Sequence, residues 1–106
     1  MRIKMWNIEE MTGYKPITTF WQDFSIAEMF GLAAIKDTYK RVFKEWKTNY
    51  EYLTELVMVL NWKIWEHDEA DEEMAGLYND LWVDTAEYAL ENLVGNELKY
   101  FLEVTD

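Results

Sequence analysis

Apolar residues return every three or four positions along most of this chain. Ile35, Tyr39, Val42, Phe43 and Trp46 are spaced i, i+4, i+7, i+8 and i+11, which places them on one face of a helix with 3.6 residues per turn. The pattern predicts a helix over about 32–47. A further helix begins beyond Thr48, where "TNYE" has the spacing of a capping box, and runs to about His67. Leu53, Leu56, Val57, Leu60 and Ile64 line one face of it, while Met58, Val59, Trp62 and Trp65 spread apolar surface round the others. A helix that is apolar all round is a buried one. It is the expected centre of the fold, touched by neighbours on more than one side.

The flanking segments read in the same way. "HDEADEE" is an acidic connection offering Asp68 or Asp71 as N-cap, with carboxylates placed favourably near a helix N-terminus. Met74, Leu77, Tyr78, Leu81, Trp82, Thr85, Ala89 and Leu93 then mark one face of a helix over about 71–94, with Gly95 as its stop. Upstream, residues 18–30 are helical in pattern, with a break expected at Ser25 because "SIAE" repeats the capping-box spacing. Gly31 serves as a C-terminal stop or bend. Asn7 and Glu10 predict a helical turn or two before Gly13 and Pro16 interrupt the chain, and "NELKYFLEVTD" a short helix that frays at its end. The competing reading is a strand pair joining "MRIKMW" to "YFLEVT".

The expected fold is all-α: a compact bundle of four main helices, packed roughly antiparallel by short connections, with short extra helical turns at the N- and C-termini. The expected organisation is one domain, with an irregular segment over 1–17, a bundle core over 18–95 and a short C-terminal segment over 96–106. Composition agrees. Of 106 residues, half are hydrophobic and 17% aromatic, so the acidity is not that of a disordered tail. One proline and four glycines favour long elements. With no cysteine there is neither a disulfide framework nor a thiolate zinc site. The longest purely apolar run, "LVMVL" from Leu56 to Leu60, falls far short of the ~20 residues that a membrane span needs. The N-terminus lacks an apolar stretch of signal-peptide length, so a soluble, cytoplasmic protein is expected.

Charge divides the chain. Residues 1–50 carry eight Lys/Arg against six acids, whereas residues 51–106 carry Lys63 and Lys99 against fifteen. Such asymmetry bears on partners. Lys36, Lys40, Lys44 and Lys47 form a basic stripe on the 32–47 helix, with Arg41 beside it; Glu73, Asp80, Asp84, Glu87 and Glu91 form an acidic stripe on the 71–94 helix. As structure, the two stripes are solvated flanks that pair across the bundle, each exposed pair contributing about 0–1 kcal/mol. As function, the acidic stripe meets a basic partner by electrostatic steering, in its sharpest form as a mimic of nucleic acid.

"FSIAEMFGLAAIKDTYKR" raises a different possibility, since a helix, a glycine and a second helix resemble the helix-turn-helix of DNA-binding regulators. Lys36, Lys40, Arg41 and Lys44 would contact phosphates. Against that, the would-be recognition helix is long and apolar, Asp37 stands where a buried aliphatic belongs, and the rest of the chain repels DNA. Nucleophilic chemistry has little material, because Ser25 is the only serine and His67 the only histidine. Di-iron bundles need Glu-x-x-His, and position 64 is Ile. "DEADEE" lacks the glycine and alternating ligands of an EF-hand loop. No catalytic residue, cofactor or metal site is expected. Trp6 and Trp21, outside the clearest periodic segments, are the aromatics expected to be exposed.

"TGYKPITTFWQDFSIAEMFG", "AIKDTYKRVFKEWK" and "YLTELVMVLNWKIWEH" resemble a group of small proteins encoded on conjugative and integrative elements of Gram-positive bacteria. The resemblance runs from about Trp6 to the C-terminus and brings no catalytic or binding motif. It implies an accessory protein of mobile DNA. The functional expectation is a non-enzymatic interaction module whose acidic second half engages a basic protein, one that handles nucleic acid in the mobile-element setting. The alternative is a DNA-binding accessory factor using the basic stripe.

Overall fold

The computed structural model describes residues 14–105. They form five α-helices: α1 (Phe20–Glu28), α2 (Leu32–Trp46), α3 (Tyr50–His67), α4 (Glu72–Asn92) and α5 (Gly95–Thr105). No strand occurs among the described residues. Tyr100 to Thr105 are helical, which removes the second half of the strand-pair reading; "MRIKMW" and the turn at Asn7–Glu10 lie outside the described residues.

Eight consecutive residues of α3, Leu53 to Leu60, are buried. Burial over more than two full turns requires neighbours on every side. α4 packs along α3 most extensively, and α1, α2 and α5 also touch it. Val42, Leu60 and Leu81, drawn from three helices, are all buried. Phe101 of α5 is buried with Leu53, Val57, Ala89 and Leu93, so the last helix contributes to the core.

Local chemistry sets the boundaries, in places differently from the sequence pattern. α3 is capped by Asn49 rather than Thr48: its Oδ1 accepts from the backbone N–H groups of Glu51 and Tyr52, both at 3.1 Å. Asn49 has an extended backbone that suits an N-cap. Asp71 caps α4, accepting from the Met74 N–H at 3.0 Å. Ser25 breaks nothing, because its hydroxyl donates to the Trp21 carbonyl at 2.9 Å and α1 continues through it. Gly31 turns the chain between α1 and α2 at φ 108° and ψ −177°, a backbone state essentially restricted to glycine. Gly95 is the first residue of α5 as well as a break after α4, which ends at Asn92. Among the described residues Trp65 is the exposed tryptophan, at 67%, whereas Trp21 packs against Trp62; Trp6 lies outside the described residues.

Burying α3 on all sides leaves its polar residues dependent on protein partners. Glu55 is 1% exposed. Its carboxylate accepts from the N–H groups of Ile17 (2.8 Å) and Thr18 (3.0 Å), from the Tyr14 hydroxyl (3.1 Å) and from the Thr18 hydroxyl. One carboxylate thus fastens residues 14–18 to the central helix. Glu55→Gln points amide hydrogens at those donors and should cost about 1–3 kcal/mol. The checks are chemical denaturation and amide exchange at Ile17 and Thr18, which should become fast in the variant while α3 and α4 stay protected.

Candidate functional site

The densest group of ionisable side chains lies where α1, α3 and α4 meet. Ser25 and Glu28 are three residues apart on α1, and Lys63, Glu66 and His67 are spaced i, i+3 and i+4 on α3. That spacing puts each set on one helix face. Lys63 is completely buried. Its Nζ donates to Ser25 Oγ at 2.6 Å and lies 3.0 Å from Glu28 Oε2 and 3.4 Å from Glu66 Oε1. It also sits 4.1 Å from the centroid of the Trp21 ring, a cation–π contact in a desolvated setting. Tyr78 of α4 donates its hydroxyl to Glu28 Oε2 at 2.7 Å, and the His67 ring stacks on the Tyr78 ring with centroids 5.9 Å apart.

Hydrogen bonds of the group run between helices. Ser25 gives its proton to the Trp21 carbonyl and accepts from Lys63, so the lysine is not placed to take the serine proton. A metal ion would find ligands in Glu28, Glu66 and His67, whose donor atoms lie within 4.8 Å of one another. No Glu-x-x-His spacing marks this trio in the sequence, because Glu66 adjoins His67 directly and Glu28 comes from another helix. His67 Nε2 lies 3.1 Å from Glu28 Oε2, yet it makes no hydrogen bond, so their contact is close but poorly aligned. However, the Lys63 ammonium already stands against both carboxylates, where a metal would sit. Through Glu28, Lys63, His67 and Tyr78 the group ties three helices together.

The residues singled out by their charge pattern are elsewhere. Glu73, Asp80, Asp84, Glu87 and Glu91 are all exposed on the outer face of α4. Lys36, Lys40, Arg41 and Lys44 are exposed on α2. The two stripes do not pair: among the described residues the ion pairs are those of Lys63 and His67. What joins α2 to α4 is neutral and aromatic. The Tyr39 hydroxyl lies 2.7 Å from Thr85 Oγ1, and the Phe43 and Tyr88 rings meet edge to face at 5.1 Å. Arg41 departs from the basic stripe, lining a shallow depression with Ile17, Asp23 and Glu45 between α1 and α2. The four basic residues therefore offer no single flat surface.

A groove of about 690 Å³ runs between α4 and α5 over α3. Val57, Met58, Trp62, Trp82, Leu90 and Leu102 give it an apolar lining, with Asn61 and Glu103 among its polar residues. Leu90 and Leu102 remain about half exposed, at 54% and 48%.

Comparison with family models, with curated proteins and with solved structures returns no match.

Two outcomes follow from the buried polar groups. Lys63→Met leaves Glu28 and Glu66 without their cation and should cost about 3–5 kcal/mol in chemical denaturation. Adding Glu28→Gln should restore part of that loss, a positive coupling in the double-mutant cycle. Burial, above all, raises the phenol pKa values of Tyr14, Tyr39 and Tyr78; the carboxylate of Glu55 acts further on Tyr14, that of Asp84 on Tyr39 and that of Glu28 on Tyr78. A raised folded-state value favours the neutral phenol, so this stabilisation is complete below the unfolded value of about 10 and declines as pH rises above it. In an alkaline titration these three tyrosines should ionise together with loss of helical circular dichroism. Full tyrosinate absorbance with the helices intact would contradict their burial.

Proposed function

We propose that the protein acts by binding, with the outer face of α4 engaging a basic protein, and that it performs no chemistry of its own. One observation carries the proposal. α4 bears six carboxylates and no lysine or arginine. Glu73, Asp80, Asp84, Glu87 and Glu91 stand exposed and, among the described residues, without an ion pair. An uncompensated row of like charge on a rigid helix attracts a cationic partner over a Debye length or so and speeds its encounter. The apolar side of the same helix, through Tyr78, Leu81, Thr85 and Ala89, is anchored in the core, which holds the row in register.

No helix among the described residues is long and apolar enough to cross a membrane. A cytoplasmic setting and a partner that handles nucleic acid are the form of this reading suggested by the resemblance to proteins of mobile elements. The basic residues of α2 support DNA binding less well, because Arg41 shares its depression with Asp23 and Glu45.

The test is charge reversal of Asp80, Asp84, Glu87 and Glu91 to lysine in a variant shown to be helical. The wild-type protein, immobilised, should retain basic proteins at low salt and release them as salt rises. The variant should associate at least about tenfold more slowly with the proteins so identified. Retention untouched by reversal removes the acidic row from the account. Retardation of duplex DNA by the wild-type protein would point to α2 instead.

A further inference from the structure

The basic and acidic stripes form no ion pair with each other, yet they border the same seam. α2 meets α4 where the Tyr39 hydroxyl lies 2.7 Å from Thr85 Oγ1 and, one turn on, where the Phe43 ring meets the Tyr88 ring. Residue numbers rise together in the two contacts, so the helices run in the same direction along the seam. On α2, Lys40 and Lys44 directly follow Tyr39 and Phe43, and both are exposed among the described residues. On α4, Asp84 and Glu87 directly precede Thr85 and Tyr88 and are exposed in the same way. Asp84 is near enough for its charge to act on the Tyr39 phenol, and Lys47 Nζ reaches within 6.0 Å of the Tyr88 ring centroid. At each level of the seam α2 therefore presents a cation and α4 an acid, with α3 packed behind both helices.

Such a surface is complementary to itself. When two copies face each other across it, a two-fold axis running along the seam exchanges the two sides. α2 of each copy then lies over α4 of the other, in the same direction and at the same level. Lys40 meets Asp84 and Lys44 meets Glu87. The flanking turns match as well, with Lys36 toward Asp80 and Lys47 toward Glu91. A two-fold axis across the seam would instead stack α2 on α2 and α4 on α4, placing like charge on like. Charge thus selects one of the two symmetric arrangements.

We propose that the protein pairs with a second copy of itself, the lysine row of α2 in each copy engaging the acidic row of α4 in the other. The inference rests on the acidic face of α4 as a binding surface and names the basic surface that it meets. Exposed ion pairs are individually weak, and each copy carries a net charge of −11, so association depends on screening in a particular way. At about 0.01 M salt the Debye length is about 30 Å, comparable with a molecule of 39 × 29 × 20 Å, and the two net charges repel. At about 0.1 M it is about 10 Å, and the facing rows dominate. At about 1 M it is about 3 Å, and the rows are screened too.

The experiment is sedimentation equilibrium of the full chain. The dimer should be tightest near 0.1 M salt, with a Kd at least about tenfold higher at both about 0.01 M and about 1 M. Two variants, each shown to be helical by circular dichroism, isolate the rows. One carries Lys36→Glu, Lys40→Glu and Lys44→Glu; the other carries Asp80→Lys, Asp84→Lys and Glu87→Lys. Each alone should be monomeric where the wild-type protein dimerises, because like rows then face each other. Mixed in equal amounts they should form a heterodimer, since each supplies the row that the other has lost.

A dimer that survives either reversal, or a mixture that stays monomeric, overturns the proposal. So does a wild-type dimer that tightens steadily up to about 1 M salt, the behaviour of an apolar contact. A wild-type protein that is monomeric at every salt overturns it as well. Retention of basic proteins by that monomer leaves the acidic face of α4 standing, and failure to retain them removes both.

Discussion

The architecture depends on a helix that has no solvent-facing side for eight residues. Over Leu53 to Leu60, α3 is enclosed, and an enclosed helix cannot leave a charged group to water. The two charges it nevertheless carries inward, Glu55 and Lys63, are both satisfied by other segments. Glu55 collects backbone and hydroxyl donors from residues 14–18, and Lys63 collects acceptors from α1 and from the next turn of α3. Each would be costly alone. Paired, they act as opposite-signed fasteners at two levels of the same rod. They specify which parts of the chain lie against it, a discrimination that apolar contacts alone make poorly.

The buried and the exposed charges of the protein are separate sets. The buried ionisable group at the α1–α3–α4 corner resembles a reactive site in its residue types, yet its hydrogen bonds run inward and hold helices together. The acidic row of α4, by contrast, is exposed and takes no part in that network. The side that faces α3 and α2 is committed to Tyr78, Thr85 and Tyr88 and their partners. The charged groups of the opposite side are all acidic. Because the anchoring contacts of α4 are neutral or internally balanced, charge on its outer face can vary without loosening the bundle.

Much of the helical pattern was legible in the apolar spacing. The apolar girth of α3 pointed to its central place, and the α4 face from Met74 to Leu93 corresponds to the side packed inward. Caps were harder, since Thr48 and Asn49 are both good caps and only backbone conformation decides between them. Ser25 was misread because the same hydroxyl can end a helix or bond back within one. The Glu28–Lys63–His67–Tyr78 group was not readable at all. Its members come from three helices, with Glu28 and Tyr78 50 residues apart, and a lysine among apolar neighbours looks the same in sequence whether it is enclosed or extended to solvent. Trp65 illustrates the converse, an apolar residue in a buried-looking helix that stands 67% exposed.

The connection between α3 and α4 bears on how the molecule assembles. Only Asp68 to Asp71 separate the two helices that share the largest interface, so bringing them together closes a very short loop at little entropic cost. The middle of the chain can therefore collapse first as a helical hairpin, in the manner of local topologies that reach the native state within milliseconds or less. The α1–α2 pair, separated only by residues 29–31, is local in the same way. A hairpin of α3 and α4 formed first would carry the acidic exterior of α4 on it before the other helices dock.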